Sequence, residues 1–470
     1  MDEQQNTPKR PVNPRRRQRS KMQVFKEAYL PVLIAGVALL LIFIFIIGSI
    51  VRGVQRGKIA KEKSLADSIA QQEAFEQQTA EAEAIVAQAT DMISHFDYHG
   101  ALALIDNFSG NVEDFPTLSQ MYEECTQAKE GLVLWNDPSQ VLHLSLQILI
   151  ADPARAYVNE IYSTSYRQNF ITTTEFTKIL QQLYENGYIL VSLKEITTES
   201  GATEFYLPKG KKPLILTETN INYYTYMVDG DGDKFPDKDG SGFASKLVLD
   251  AEGNILCEMI DANGQAVTGN YDMVPILEAF VKEHPDFSYK GAKAILATSG
   301  YDGIFGYRTS PASQEYFGTA FHDQEVVEAE KIVQALRDAG YEFACYTYEN
   351  EPYGDYSAAQ IADEMGKWEN EITPILGVTD IFVFSRNSDI APSNTAYSGD
   401  KFETLQSYGY KYYIGFCEDG QPWYSSYNTY IRQGRILLTG NNLINNPQWF
   451  NGIFDPSTVL DAARQSVTES

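Results

Sequence analysis

A run of 22 residues without a charged side chain, Leu30 to Val51, constrains this chain more than any other feature of its sequence. An α-helix of that length crosses the ~30 Å hydrocarbon layer of a membrane. A cleaved signal peptide would have a shorter apolar segment and a small-residue cleavage site, whereas this run leads into Arg52 and Arg56. The sequence therefore predicts one transmembrane helix.

The charges on either side of this helix predict its orientation. Eight Lys and Arg precede it, and five follow it within residues 52–63. Because positive residues are retained in the cytoplasm, the N-terminus is expected inside and the C-terminal domain outside the cell membrane. The whole chain has a net charge of −26, although residues 1–63 alone carry +9. An acidic outer part argues against nucleic acid as a partner.

The composition and the apolar pattern of the sequence divide the outer part into two regions. Residues 58–94 are rich in Ala, Glu and Gln and predict a solvated helix, and residues 82–132 predict a helical hairpin. The segment WNDPS ends this pattern at 135–139. The predicted domains are a basic cytoplasmic tail (1–29), the transmembrane helix (30–51), a helical stalk and hairpin (52–134) and a barrel (140–463).

Strands and helices alternate after residue 140. Apolar runs predict strands, and amphipathic segments predict the helices between them. Repeated alternation of this kind is typical of a parallel sheet, and the simplest such fold is an α/β barrel with its chemistry at the carboxyl ends of the strands. The predicted strands are 141–150, 189–193, 212–217, 292–298, 342–348, 379–385 and 412–417, and the predicted helices are 173–188, 274–285 and 325–341.

General catalytic motifs are absent from the sequence. It contains no P-loop, no H-E-x-x-H and no G-x-S-x-G, which argues against the usual nucleotide hydrolases, zincins and esterases. Its four cysteines form no C-x-x-C pair, so zinc knuckles and thioredoxin-type motifs are excluded. The sequence leaves open whether one or two disulfides form.

Several segments resemble a known family. They are KPLILTETNINYYTYM (212–227), VPILEAFVKEHPDFSYKGAKAILATSGYDGIFGYRT (274–309) and AGYEFACYTYEN (339–350). They look like the polysaccharide deacetylases with the nodulation-protein-B homology domain, in particular a membrane-anchored Gram-positive branch, over about 141–463. The resemblance implies a distorted (β/α)7 barrel that removes N-acetyl groups from envelope sugars. It also implies a divalent metal held by two His and one Asp, with a second Asp as base.

The residues that would perform this reaction differ in this chain. Thr219 stands where the base is expected, and Asn220 stands where the metal-binding Asp is expected. Tyr346 and Asn350 keep the i, i+4 spacing of the two His but replace both imidazoles. Amide and protonated phenol groups are poor zinc ligands. We therefore expect no intact catalytic site and no cofactor in the barrel.

An acidic loop follows the first of these motifs. The stretch VDGDGDKFPDKDGSG (228–242) offers carboxylates at alternate positions, which could bind calcium although the spacing is not that of an EF-hand. The alternative is a solvated acidic loop. In both cases the loop would lie over the expected cleft. The candidate calcium ligands are Asp229, Asp231, Asp233, Asp237 and Asp239.

Other side chains near the expected strand ends suit a sugar. Tyrosines can stack on a sugar ring and donate a hydrogen bond, although core packing explains them equally well. Two of three carboxylates, Asp302, Glu349 and Asp389, would permit glycoside hydrolysis if they faced each other across ~5–10 Å. The candidate glycan-binding residues are Tyr223, Tyr224, Tyr307, Arg308 and Tyr348.

The sequence thus favours a single-pass membrane protein whose outer, deacetylase-like barrel is a pseudoenzyme. Its expected partners are the membrane, a cell-envelope polysaccharide or peptidoglycan, and a cell-wall enzyme. The alternative is an active carbohydrate hydrolase, an N-deacetylase with a rearranged site.

Overall fold

The computed structural model describes residues 22, 25–135, 137–158, 161–228 and 242–465. The chain divides into two compact units, residues 1–81 and residues 82–470. The candidate calcium ligands Asp229, Asp231, Asp233, Asp237 and Asp239 lie outside the described residues, as does most of the basic N-terminal tail.

A single helix, Leu30–Ser94, follows a short π-helical turn at Phe25–Tyr29. The side chains of its apolar run are exposed on nearly all sides. A helix that is apolar all round and unburied could cross a membrane by length and composition. No break separates the predicted transmembrane segment from the predicted stalk helix.

The second unit begins with a helical hairpin. The last turns of the long helix pack with helices Tyr98–Asp106 and Pro116–Glu130 around a small apolar core. Ala89, Ile105 and Leu118 are completely buried in it. The helical hairpin predicted for 82–132 is therefore confirmed.

Seven parallel strands form the main body of this unit. Each strand pairs with the next one along the chain, and the last pairs with the first, which closes a barrel. The predicted α/β barrel is therefore confirmed. The strands are β1 (Leu142–Gln147), β2 (Lys212–Thr219), β3 (Ile295–Thr298), β4 (Glu342–Cys345), β5 (Ile381–Val383), β6 (Tyr412–Phe416) and β7 (Ile431–Leu437).

The barrel strands are largely buried on both faces because both faces are covered, and apolar side chains form most of the two cores. Ile215, Val383 and Ile414 point into the barrel, whereas Leu216 and Phe382 point outward into a larger core beneath the helices. The longer covering helices are Thr173–Glu185, Met273–Glu283, Thr319–Asp338, Ala358–Glu371 and Asp400–Ser407.

Short elements complete the described part of this unit. The helices are Pro153–Ala156, Ser163–Asn169, Leu193–Ile196, Thr225–Val228, Pro311–Phe317, Thr373–Leu376, Gly440–Asn445, Pro456–Val459 and Ala462–Gln465. The strands are Leu132–Trp135 with Phe205–Pro208, Thr197–Thr198 with Gly201–Ala202, Tyr188–Leu190 beside β2, Tyr424–Ser426 beside β7, and an antiparallel sheet of Lys246–Leu249, Ile255–Ile260 and Ala266–Gly269.

Four predicted strands are too long at their carboxyl ends, since 141–150 ends at Gln147 and 189–193 ends at Leu190, and the strands predicted at 342–348 and 379–385 are also shorter. The strand at 188–190 lies beside β2 outside the closed ring, and β7 was not among the predicted strands. The strand predicted at 342–348 ends at Cys345, because Thr347 has a left-handed φ of 60° that turns the chain out of the sheet. The strand predicted at 379–385 is reduced to Ile381–Val383 and is followed by a 3₁₀ turn, Ser385–Asn387, in which Arg386 and Asn387 have φ of 49° and 52°. The errors at 342–348 and 379–385 lie at carboxyl ends of barrel strands, where the backbone bends to line a cleft.

The four cysteines, Cys125, Cys257, Cys345 and Cys417, are all buried and unpaired. The disulfides that the sequence left open are therefore not part of this fold.

Candidate functional site

A cleft lies at the carboxyl ends of the barrel strands. It consists of two adjoining cavities of about 290 Å³ each, which share the side chains of Gln147, Asn169, Asn220 and Asn350. We call the first the polar lobe, since its other lining residues include hydroxyl, amide and guanidinium groups. We call the second the aromatic lobe, since Tyr162, Tyr166, Phe170 and Tyr226 line it.

The structure brings together the four positions that replace the expected catalytic residues. Thr219, Asn220, Tyr346 and Asn350 all line the polar lobe. Thr219 ends β2, and Tyr346 directly follows β4. Asn220 and Asn350 both have a φ of 58°, a left-handed conformation that Asn tolerates better than most residues. These turns direct residues from two strands into one cavity.

Hydrogen bonds fix the amide of Asn220. Its Nδ2 donates to Gln147 Oε1 at 2.9 Å, and its Oδ1 accepts from the hydroxyl of Tyr224 at 2.9 Å. The Tyr224 hydroxyl also lies 2.7 Å from Ser299 Oγ. Thr219 Oγ1 donates to the carbonyl of Leu146 at 3.1 Å. Both functional ends of the amide are therefore engaged by the protein.

This donor set does not fit the metal that the resemblance implies. Among the described residues, no group of three or more His, Cys, Asp or Glu could hold a metal ion. The oxygen of Asn220 already accepts a hydrogen bond. A neutral phenol such as Tyr346 is a poor ligand for zinc. We derive no catalytic step through a metal at this site.

A buried guanidinium also lies at this cavity. Arg435 on β7 lines the polar lobe and is 1% exposed. It donates to the carbonyls of Phe384, Ile414 and Gly415 at 2.7–3.0 Å. Burial lowers the pKa of Arg435, and the neighbouring phenol of Tyr346 acts in the opposite direction. Since arginine stays protonated in proteins, the lobe has a fixed positive charge in its wall.

The barrel interior below the lobe contains a neutral histidine. His143 Nε2 lies 2.7 Å from Thr217 Oγ1, and its Nδ1 lies 3.3 Å from Gln433 Oε1. Burial, together with the charge of Arg435, lowers the pKa of His143 to about 3. This imidazole is therefore uncharged at neutral pH.

A second arginine stands at the rim of the polar lobe. Arg386 is exposed and lines the cavity from the turn after β5. Among the described residues no acidic side chain pairs with it, in contrast to Arg432 and Arg464, which form buried ion pairs. Neither Arg386 nor Arg435 was among the site residues predicted from the sequence. A signal was present, since both lie at or just beyond the carboxyl ends of barrel strands.

Two buried oxygen atoms of the polar lobe lack a partner in the part of the chain that the structure describes. They are Ser145 Oγ and Asn350 Oδ1. Ser145 is 1% exposed and lines the cavity from β1. Buried polar groups are normally hydrogen-bonded, so such atoms beside a cavity are available to a bound molecule or water.

The aromatic lobe presents ring faces and edges. Tyr226 is half-buried and lies 5.3 Å from Tyr162, measured between ring centroids, and 5.7 Å from Tyr224. Burial raises the pKa of Tyr226 to about 12, and Arg386 acts in the opposite direction. The positive charge of Arg386, at the rim of the polar lobe, therefore acts on a side chain of the aromatic lobe.

The structure places the predicted glycan-binding residues behind the cleft. Tyr223 is completely buried, and its carbonyl accepts from Arg308 at 2.9 Å. The Tyr307 hydroxyl donates to the carbonyl of Leu247 at 2.9 Å, and the Tyr348 hydroxyl donates to Glu371. Tyr224 contacts the cleft lining through its hydrogen bond to Asn220 and its ring contact with Tyr226. These five side chains support the loops, and none of them is among the residues that line the two lobes.

The acidic residues considered for glycoside hydrolysis are engaged elsewhere. Asp302 accepts from the backbone and hydroxyl of Thr225 at 2.9 Å, Glu349 pairs with Lys367 at 2.9 Å, and Asp389 pairs with Arg432 at 2.8 Å. The described residues that line the two lobes include no Asp and no Glu.

The carboxyl group of Glu218 lies on the opposite face of β2 from Thr219. It is completely buried in the outer core, and burial, followed by the charge of Asp272, raises its pKa well above the usual range. Strand alternation predicts this orientation. Glu218 is therefore no substitute for the missing base.

Comparison with known proteins gives a limited result. No family model matches the chain, and no curated protein matches it. One similar solved structure is the Streptococcus pyogenes deacetylase PplD in complex with acetate, at 14% identity over 66% of this chain and 94% of that chain, with a TM-score of 0.36. A likeness of this size does not establish an activity.

Proposed function

We propose that the barrel is a membrane-anchored glycan-binding module of the cell envelope that does not hydrolyse N-acetyl groups. In this proposal residues 30–51 span the membrane, residues 1–29 lie in the cytoplasm and the barrel lies outside. The ligand is an envelope polysaccharide or peptidoglycan, and a cell-wall enzyme acting on that glycan is a further partner.

The observation that carries this proposal is the composition of the cleft. Its polar lobe is lined by amides, hydroxyls and guanidinium groups, and its aromatic lobe by three tyrosines and a phenylalanine. Sugars bind proteins through the same combination, because their hydroxyl groups need hydrogen bonds and their C–H faces pack on aromatic rings.

The same composition argues against deacetylation. The reaction requires a group that takes a proton from water, and the position expected for it is Thr219, whose hydroxyl donates to the carbonyl of Leu146. The neutral imidazole of His143, in the barrel interior, is bonded to Thr217 and Gln433. The described residues that line the cleft can bind and orient a sugar but include no Asp, Glu or His that could act as the base.

A binding measurement tests the proposal. The full-length chain is purified in a polyoxyethylene detergent, since a sugar-based detergent would compete for the cleft. Titration calorimetry with N-acetylglucosamine oligomers and solubilised peptidoglycan fragments should show binding. Tyr226→Ala should weaken it about tenfold, which corresponds to ~1.4 kcal/mol.

The matched control is Tyr316→Ala. Tyr316 is 63% exposed and lies on the helix Pro311–Phe317, and it does not line either lobe. It should leave the affinity unchanged. Absence of binding to all these glycans would contradict the proposal. Chelator-sensitive release of acetate from the oligomers by the natural chain would support the alternative, an active hydrolase with a rearranged site.

A further inference from the structure

We propose that the ligand of the cleft is an anionic sugar, whose carboxylate or phosphate binds in the polar lobe beside Arg386 while its ring packs in the aromatic lobe. This inference rests on the proposed glycan-binding function and adds the chemical class of the ligand.

The charge distribution around the cleft is the first argument. The chain has 63 Asp and Glu against 37 Lys and Arg. Nevertheless the described lining of the two lobes contains two arginines and no acidic residue. The nearby carboxylates Asp302, Glu349 and Asp389 are all held by hydrogen bonds or ion pairs. The described lining of the cleft is therefore positive although the chain is acidic, and a positive lining concentrates anions locally.

The availability of Arg386 is the second argument. Arg435 uses its terminal nitrogens on three backbone carbonyls, so it contributes charge but few free donors. Arg386 is exposed at the rim and is not paired with any described acidic residue. A guanidinium has a fork of donors that fits a carboxylate or phosphate in a bidentate manner. Arg386 is therefore the residue that would recognise the anionic group.

The third argument is the unfilled hydrogen-bonding capacity beside this charge. Ser145 is almost fully buried, lines the polar lobe, and its Oγ has no partner among the described residues. A hydroxyl can donate to an anionic oxygen. Asn350 contributes an unpartnered Oδ1 at the junction of the two lobes, which can accept from a sugar hydroxyl. The two atoms provide a donor and an acceptor for a ligand that carries both kinds of group.

The dimensions of the cleft agree with a ligand of two parts. Each lobe has a volume of about 290 Å³, and the four shared amide side chains lie between them. A sugar ring in the aromatic lobe would thus place a charged substituent in the polar lobe. Carboxylated sugars and sugar phosphates share this chemistry, and the experiment below distinguishes them.

Three disaccharide ligands differ in the substituent alone. The neutral ligand is the dimer of N-acetylglucosamine. The carboxylated ligand is the disaccharide of N-acetylglucosamine and N-acetylmuramic acid, and the phosphorylated ligand is the N-acetylglucosamine dimer with a 6-phosphate. Each is titrated into the full-length chain in a polyoxyethylene detergent at 50 mM and at 300 mM salt.

One or both charged ligands should bind at least tenfold more tightly than the neutral one, and this preference should diminish at high salt. Arg386→Gln should remove the preference, so that the charged ligands bind no more tightly than the neutral dimer. Arg386→Lys should restore only part of it, because an ammonium lacks the bidentate fork. The matched control is Lys209→Gln, an equal charge change on an exposed residue just before β2, at the opposite end of that strand from the cleft. Equal melting temperatures of the variants would exclude misfolding.

The outcomes separate the two proposals. If all three ligands bind equally and Arg386→Gln changes none of them, the anionic ligand is excluded, while the glycan-binding function stands. If no ligand binds, both proposals fail. If inorganic phosphate alone binds as tightly as the charged disaccharides, the site recognises an ion and the sugar part of the inference is overturned.

Discussion

The guanidinium of Arg432 on β7 and the carboxylate of Asp389 form an ion pair of 2.8 Å whose side chains are 0% and 7% exposed. Arg432 also donates to the carbonyls of Ala391 and Pro392 at 3.0 Å, and its guanidinium lies 4.0 Å from the ring centroid of Tyr397. One side chain thus fixes the segment that continues from the turn carrying Arg386. The rim of the cleft is attached to the barrel wall through this contact.

Removal of one partner should therefore be costly. Arg432→Met leaves a buried carboxylate without its cation and should lower the free energy of unfolding by about 3–5 kcal/mol. The double variant Arg432→Met with Asp389→Asn should recover part of that loss, since no buried charge is then left unpaired. Urea denaturation followed by tryptophan fluorescence measures both. A loss below 1 kcal/mol in the single variant would show that the pair is not as buried as described.

The buried carboxyl group of Glu218 predicts a pH dependence of stability. Its pKa is raised in the folded state by burial and by Asp272, so the folded state holds a proton that the unfolded state releases above about pH 4.3. The wild-type protein should therefore lose stability as the pH rises above that value. Glu218→Gln removes the effect and should be more stable than wild type by at least about 1 kcal/mol at pH 8, with a smaller difference at pH 5.

The control for this prediction is Glu252→Gln. Glu252 is an exposed residue in the turn between Lys246–Leu249 and Ile255–Ile260. Thermal melts from pH 5 to pH 8 should show parallel curves for this variant and wild type. A Glu218→Gln curve that is also parallel to wild type would mean that Glu218 ionises normally.

Introducing the metal donors that the resemblance implies should create a metal site. The combined variant Thr219→Asp, Asn220→Asp, Tyr346→His and Asn350→His places two imidazoles and two carboxylates at positions that line one lobe. Asp and His both tolerate the left-handed conformations required at 220 and 350. Equilibrium dialysis should detect one zinc per chain, although Arg435 would weaken its affinity by charge repulsion.

The informative control keeps Asn220 and changes the other three positions. A site with one ligand fewer should lose most of its affinity for zinc. Stoichiometric zinc in the natural chain, lost on addition of a chelator together with deacetylase activity, would contradict the assignment of these positions.

Thiol labelling of intact cells tests the predicted membrane topology. All native cysteines are buried, so a new surface cysteine is the main accessible thiol. Lys63→Cys should react with a membrane-impermeant maleimide added to intact cells, whereas Gln4→Cys should react only after lysis. The reverse pattern would show that the N-terminus lies outside.

Calcium binding by the acidic loop is a prediction from the sequence. If Asp229, Asp231, Asp233, Asp237 and Asp239 bind the ion, millimolar calcium should raise the melting temperature by mass action. Asp231→Ala should abolish the rise, and magnesium at the same concentration should produce little of it. An equal response in the variant would assign the effect to another site.

The barrel could be predicted from sequence because apolar strands and amphipathic helices alternate at the regular intervals that a parallel sheet requires. The four positions Thr219, Asn220, Tyr346 and Asn350 could also be found, since they keep the spacing of a known motif. What failed were β7, which no predicted strand covered, and several strand ends, among them those at 342–348 and 379–385. There the left-handed turns at Thr347 and Arg386 depend on tertiary contacts, and no local pattern predicts them.

The direction in which side chains point was also not predictable from the sequence. Tyr223 follows β2 closely and suggested a ligand contact, yet its own left-handed φ of 49° turns it into the core. Conversely, Gln147 and Arg435 come from β1 and β7, almost 290 residues apart along the chain, and meet only because the barrel closes between those two strands. Closure is a property of the whole sheet and leaves no trace in either segment.

Because its four cysteines are buried and unpaired, this fold does not depend on the redox state of its compartment. Since no cross-link has to form, the chain can reach the same structure in a reducing or an oxidising compartment. The thiols also act as internal reporters of local opening. Cys125 lies in the core of the helical hairpin, whereas Cys345 and Cys417 lie in the core around the barrel, so the rates at which a thiol reagent reaches them would show which of the two parts opens first.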